Sequence, residues 1–100
     1  MLSELASESV AGKNAYLSVD VDVLDPCVAP AVEYPEPCGL SVSEVLSLIN
    51  GIFASSNVVA ADVVEVNPRM ERRNRITSVS AARIVMEILA RMHEQEEGEK

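Results

Sequence analysis

The sequence predicts an α/β fold in the order strand, helix, strand, helix, with the two strands parallel. Three observations carry that prediction. Residues 16–24 alternate apolar and polar side chains with the period of a half-buried strand. Residues 58–66 are almost continuously apolar, as in a strand of a parallel sheet covered on both faces. After each strand comes a segment whose apolar residues recur at helical spacing, so the connection is a right-handed crossover.

In the first strand, Leu17, Val19, Val21 and Val23 alternate with Tyr16, Ser18, Asp20 and Asp22, and Asp25-Pro26 ends the run. Residues 25–39 contain Pro26, Pro30, Pro35 and Pro37 and close on Gly39. That composition predicts an ordered loop without helix or inner strand. Ser41-Val42-Ser43-Glu44 fits a capping box, and Val42, Val45, Leu46, Ile49 and Phe53 continue a helix to about Ala54. Asn67-Pro68 stops the second strand, and residues 69–75 are a charged loop containing Arg69, Arg72, Arg73 and Arg75. Thr77 is the expected cap of the last helix, with Val79, Ala82, Val85, Met86, Leu89 and Met92 as its apolar face. Residues 1–13 read as an extension, poorly ordered or a short helix, residues 14–93 as the folded segment, and 94–100 as an acidic tail. Two strands alone leave open edges and a thin core, so the unit is expected to belong to a larger sheet.

Composition narrows the function. The chain has 100 residues, 48% hydrophobic and 3% aromatic, so its core is built from aliphatic side chains. A net charge of −8 argues against nucleic acid or an anionic membrane as partner and favours small cations. Cys27 and Cys38 lack metal-site or redox spacing and read as thiols in a reducing compartment, such as cytoplasm or mitochondrion. The first residues do not resemble a signal peptide, and no apolar run approaches the roughly 20 residues of a membrane helix.

The chemistry concentrates in Ser18-Val19-Asp20-Val21-Asp22. Alternate strand residues share a face, so the two carboxylates are expected to converge beyond the carboxyl end of the strand, where open α/β sheets bind ligands. Oxygen-rich ligation suits Mg²⁺ or Mn²⁺. Asp at a strand end is also a common turn former or helix cap. Two anions in an apolar strand are nevertheless costly without a compensating cation.

This run, followed by Pro26, Pro30-Ala31 and Gly39, resembles the signature of the ureohydrolases, the family of arginases, agmatinases and formimidoylglutamases. Asp62-Val63-Val64-Glu65-Val66-Asn67-Pro68 is similar to the family's later strand motif, and Thr77 with Ala81-Ala82 to its closing helix. In look the chain is nearest the plant-type arginases. The resemblance implies the C-terminal portion of a three-layer arginase-like fold. It implies that Asp20 bridges two manganese ions, that Asp22 binds one of them, and that Glu65 holds the guanidinium or amidine group of the substrate. The implied reaction is attack of a metal-activated hydroxide on the amidino carbon of L-arginine or agmatine, releasing urea. The resemblance also implies a place in arginine metabolism or polyamine biosynthesis. Formimidoylglutamate is the alternative substrate. The Gly-Gly-x-His and Asp-Ala-His-x-Asp segments that complete the family's ligand set do not occur here, and Val32-Glu33-Tyr34-Pro35 departs from its Thr-Gly-Thr-Pro-like loop. His93, the sole histidine, reads as a surface residue. A second reading follows: an inactive chain serving only as a binding or assembly module. Family resemblance also implies a homo-oligomer, trimeric or hexameric.

Overall fold

The computed structural model describes residues 9–32, 35, 37–71 and 73–98. Most of the expected extension (residues 1–8), Glu33 and Tyr34 of the divergent loop, Arg72 and Glu99 lie outside the described residues. The elements follow the expected order: β1 (Asn14–Asp20), α1 (Val42–Ser55), β2 (Asn57–Val64) and α2 (Ile76–Gly98). Single 3-10 turns, Val21–Val23 and Pro68–Met70, follow the two strands.

β1 and β2 pair in parallel from Asn14↔Asn57 to Asp20↔Val64, with one irregularity between Ala15 and Tyr16. The alternation in β1 sorts its side chains by face. Leu17 and Val19 are buried with Val45 and Ile49 of α1 and with Ile84 and Ile88 of α2. Tyr16 and Ser18 stand exposed on the other face. Both helices therefore cover one side of the sheet. β2 does not have the two covered faces that its apolar run predicts: only Val58 is buried, and Val59 is 58% exposed.

The capping box forms as expected. Glu44 N–H donates to Ser41 Oγ (3.1 Å) and Ser41 N–H donates to Glu44 Oε1 (3.0 Å), which satisfies two donors at the start of α1. The last helix starts differently. Thr77 is not its cap but lies inside its first turn, fully buried, where its Oγ1 accepts the N–H of Ala31 (2.9 Å). Glu71 takes over the capping role, accepting from the N–H groups of Thr77 (3.3 Å) and Ser78 (2.7 Å). The expected apolar face is also rotated. The buried line of α2 is Thr77, Ser80, Ala81, Ile84 and Ile88, whereas Val79, Met86 and Leu89 are exposed; Met92 does pack against the core. Residues 94–98, read from sequence as tail, form the end of α2.

The proline-rich loop is anchored at both ends and in its middle. At its base Asp25 N–H donates to Leu40 O (2.9 Å) and Leu40 N–H to Val23 O (2.8 Å). Gly39 is required there, because a Cβ would stand 2.6 Å from Asp25 N and 2.8 Å from Val23 O, both backbone atoms. Ala29, Ala31 and Val32 are buried, and Asn67 N–H donates to Ala31 O (2.8 Å). The loop thus ties the exit of β1 to the exit of β2 and to the first turn of α2.

Candidate functional site

β1 is shorter than its alternating pattern suggests. The strand ends at Asp20, and Asp22 lies in the 3-10 turn Val21–Val23 rather than on a shared strand face with Ser18 and Asp20. The turn ties the Asp22 backbone to the Asp20 carboxylate instead. Asp22 N–H donates to Asp20 Oδ1 at 3.1 Å, so Asp20 caps the turn that carries Asp22. Both residues are half-buried at the carboxyl end of the sheet. Ser18 and Asp20 also line, with Val23 and Leu40, a groove of about 200 Å³ along the outer edge of β1.

The strand register delivers the third residue. Asp20 pairs with Val64, so Glu65 is the first residue beyond β2 on the neighbouring strand end. Adjacent strands are about 4.8 Å apart. Glu65 is exposed and its backbone sits in the left-handed region at φ 73°. A non-glycine residue held there is uncommon, and such positions concentrate where a side chain must be aimed. Among the described residues neither Asp20 nor Glu65 joins an ion pair; the pairs run along α2, as Arg83–Glu87 (3.0 Å) and Arg91–Glu94 (2.9 Å) do. His93 faces Glu97 at 3.5 Å on the exposed end of α2, far down the chain from this site.

Asp62, the first residue of the second strand's motif, forms the other polar cluster. It pairs with Ser18 across the sheet. Its Oδ1 accepts from Ser18 Oγ at 2.5 Å, and its Oδ2 accepts from the Tyr16 hydroxyl. The Ser18 and Tyr16 hydrogen bonds hold the Asp62 carboxyl below the usual carboxylate range. The same bond to Asp62 raises the Tyr16 phenol above its ordinary value. The sequence alone does not signal this cluster: aligning the two strands by their stops, Asp25-Pro26 and Asn67-Pro68, sets Ser18 beside Ala60, two residues short of the observed partner Asp62.

The donor chemistry at Asp20 and Asp22, all carboxylate oxygen, fits a hard divalent cation. The donor number does not complete a site: among the described residues no group of three or more His, Cys, Asp or Glu side chains is placed to hold a metal. Cys27 and Cys38 are exposed and form no disulfide. No helix of the described residues is long and apolar enough to cross a membrane.

A parallel α/β unit with acidic residues just past the carboxyl ends of adjacent strands has them where open α/β sheets bind ligands. The Arginase family model matches residues 2–90, and the chain belongs to that family. It is 44% identical over 80 residues to mitochondrial arginase 1 of Arabidopsis thaliana, an alignment covering 80% of this chain and 23% of that protein. A hypothetical agmatinase from Burkholderia thailandensis superposes with TM-score 0.84 at 33% identity, covering 96% of this chain and 31% of the other. Proclavaminate amidino hydrolase from Streptomyces clavuligerus gives TM-score 0.82 at 38% identity, covering 90% and 29%. The chain therefore has the arginase-like α/β fold over a segment about a quarter to a third the length of these relatives.

Proposed function

We propose that this chain supplies the Asp20–Asp22 metal-ligand pair and the Glu65 substrate carboxylate of a manganese-dependent ureohydrolase acting on L-arginine or agmatine. The observation that carries the reading is the register Asp20↔Val64, which brings Asp20, Asp22 and Glu65 to one edge of the sheet. A bound pair of divalent cations would supply Lewis acidity and a lowered pKa for water. Asp20 and Asp22 would hold it through hard oxygen donors, and the hydrogen bond from Asp22 N–H to Asp20 Oδ1 supports their acting as a pair. Glu65 would accept charge-assisted hydrogen bonds from the planar guanidinium and orient its carbon. The left-handed backbone at Glu65 turns the chain just where β2 ends, so the carboxylate leaves the strand at a set angle.

The balanced reaction adds water across the guanidino C–N bond, and the amine leaves as ornithine or putrescine while urea is released. Two carboxylates are too few for a tight manganese pair, so this segment alone is expected to show no turnover. Nothing at the site favours formimidoylglutamate over a guanidino substrate. The mitochondrial arginase among the relatives supports a mitochondrial setting.

The test is a graft of residues 14–92 into an active plant arginase in place of the matching segment. Manganese-dependent urea release should persist. Asp20→Asn should lower bound manganese, and Glu65→Gln should raise KM for the cation while metal content stays unchanged. A folded graft that binds manganese yet releases no urea from either substrate would overturn the proposal.

A further inference from the structure

Both cysteines of the chain meet at one carboxyl group in the proline-rich loop. Asp25 Oδ1 accepts the N–H of Cys27 at 2.9 Å. The Cys27 thiol donates to the same carboxyl, and so do the N–H groups of Gly39 and Cys38 from the far end of the loop. Leu24 and Leu40 form a parallel bridge beside this point, which fixes the two ends of the loop against each other. Cys38 holds a left-handed backbone at φ 61°, uncommon for a residue with a side chain. There its N–H and that of Gly39 make a concave pair of donors suited to an anion, and Asp25 supplies it. Cys27 and Cys38 are both exposed and form no disulfide. They stand far apart in the sequence of the loop, and the fold brings them to opposite sides of the same side chain.

We infer that Cys27 and Cys38 are a reversible dithiol–disulfide pair, oxidised to an intramolecular disulfide by low-molecular-weight disulfides. Backbone nitrogens bound to one carboxylate stand only a few ångströms apart, and a disulfide closes between Cα atoms up to about 7 Å apart. Cys38 is the attacking thiol, because the Cys27 proton is engaged by Asp25. The Cys38 thiolate attacks one sulfur of the small disulfide, which leaves as one thiol and a mixed disulfide on Cys38. Cys27 then attacks the Cys38 sulfur and expels the second small thiol. Two cysteine thiols are oxidised, one disulfide is reduced to two thiols, and the two protons end on those thiols. In a reducing compartment the pair is open at rest and closes when the thiol pool is oxidised. The ring joins the two ends of the loop just past the turn that carries Asp22. The pairing is set by hydrogen bonds inside one loop, so it depends neither on what covers the sheet nor on the metal-site reading.

The test is equilibration of the 100-residue chain with mixtures of reduced and oxidised glutathione, followed by acid quench and peptide mass mapping. The folded chain is expected to form a Cys27–Cys38 link within one molecule. The effective concentration of the pair should exceed that of the same chain unfolded in urea by at least about tenfold, since the fold and not the loop length brings the thiols together. Cys27→Ser should stop at a glutathione adduct on Cys38. The ring is also expected in the graft of residues 14–92 into a plant arginase, read in the linked peptides. Equal effective concentrations in the folded and unfolded chain, glutathione adducts on both cysteines without a ring, or a link between two chains would each overturn the inference. A graft in which the pair stays reduced under conditions that oxidise the 100-residue chain would overturn it as well.

Discussion

The two faces of the sheet obey different rules. On the covered face Leu17 and Val19 meet Val45, Ile49, Ile84 and Ile88, and shape decides which residues are tolerated. On the open face Tyr16, Ser18 and Asp62 meet through hydrogen bonds, and charge and donor direction decide. One strand serves both because its side chains alternate. The candidate ligands follow where the strand ends and alternation stops. The comparison teaches that the covered face holds the unit together, while the strand ends and open face are free to be polar because little packing is lost there.

Substitutions can break that contrast, and the largest effect is expected in the core. Ile84 is fully buried between the sheet and α1. Ile84→Ala should destabilise the fold by about 2–5 kcal/mol, enough to unfold much of a unit this small, as urea denaturation would register. The exposed Val59→Ala should change stability by less than about 0.5 kcal/mol in the same measurement. Equal costs for the two would erase the distinction between the faces.

Next in size is the base of the proline-rich loop. Gly39→Ala forces a methyl into the backbone at Asp25 and Val23 and should cost about 1–3 kcal/mol. Thr77→Val keeps the shape but strands the Ala31 N–H in a buried place, at about 1–3 kcal/mol, and Thr77→Ser should restore much of the loss. A stable Thr77→Val variant would mean that the Ala31–Thr77 bond does not hold the loop.

The smallest effect is a titration on the open face. The Asp62 carboxyl is depressed, so its contribution to stability is present above the ordinary carboxylate pKa and is lost as pH falls through its lower folded value. The Tyr16 phenol is raised, so its contribution is present below its ordinary pKa of 10.0 and is lost as pH rises through the higher folded value. In a Tyr34→Phe background, Asp62→Asn should bring the ultraviolet titration of Tyr16 down toward that ordinary value. An unchanged curve would show that Asp62 does not hold the phenol.

Much of this was legible in the residues. The alternation of Leu17, Ser18 and Val19, the capping box at Ser41 and Glu44 and the order of elements all rest on local rules, and each appears in the fold, whereas the second strand ends at Val64, before the expected stop at Asn67-Pro68, where Glu65 turns left-handed. Three features were not legible. Val21 and Asp22 continue the alternating pattern of β1, yet the chain turns there. The pairing partner Val64 is the last residue of β2, so no ladder remains to hold an extended strand beyond Asp20. Thr77 looks like a cap but is drawn inside by Ala31, 46 positions away in sequence. The last helix carries two apolar stripes, and periodicity alone could not say which one faces the sheet.

Taken alone, the order of residues determined the element types, the parallel pairing and the family, because those depend on spacing within a few positions and on motifs read in place. Tertiary structure alone decided which stripe of α2 is buried, what caps that helix, and how Asp20, Asp22 and Glu65 come to one edge. Those outcomes are set by contacts between segments distant in the chain, where register and competing partners, not local preference, choose the winner.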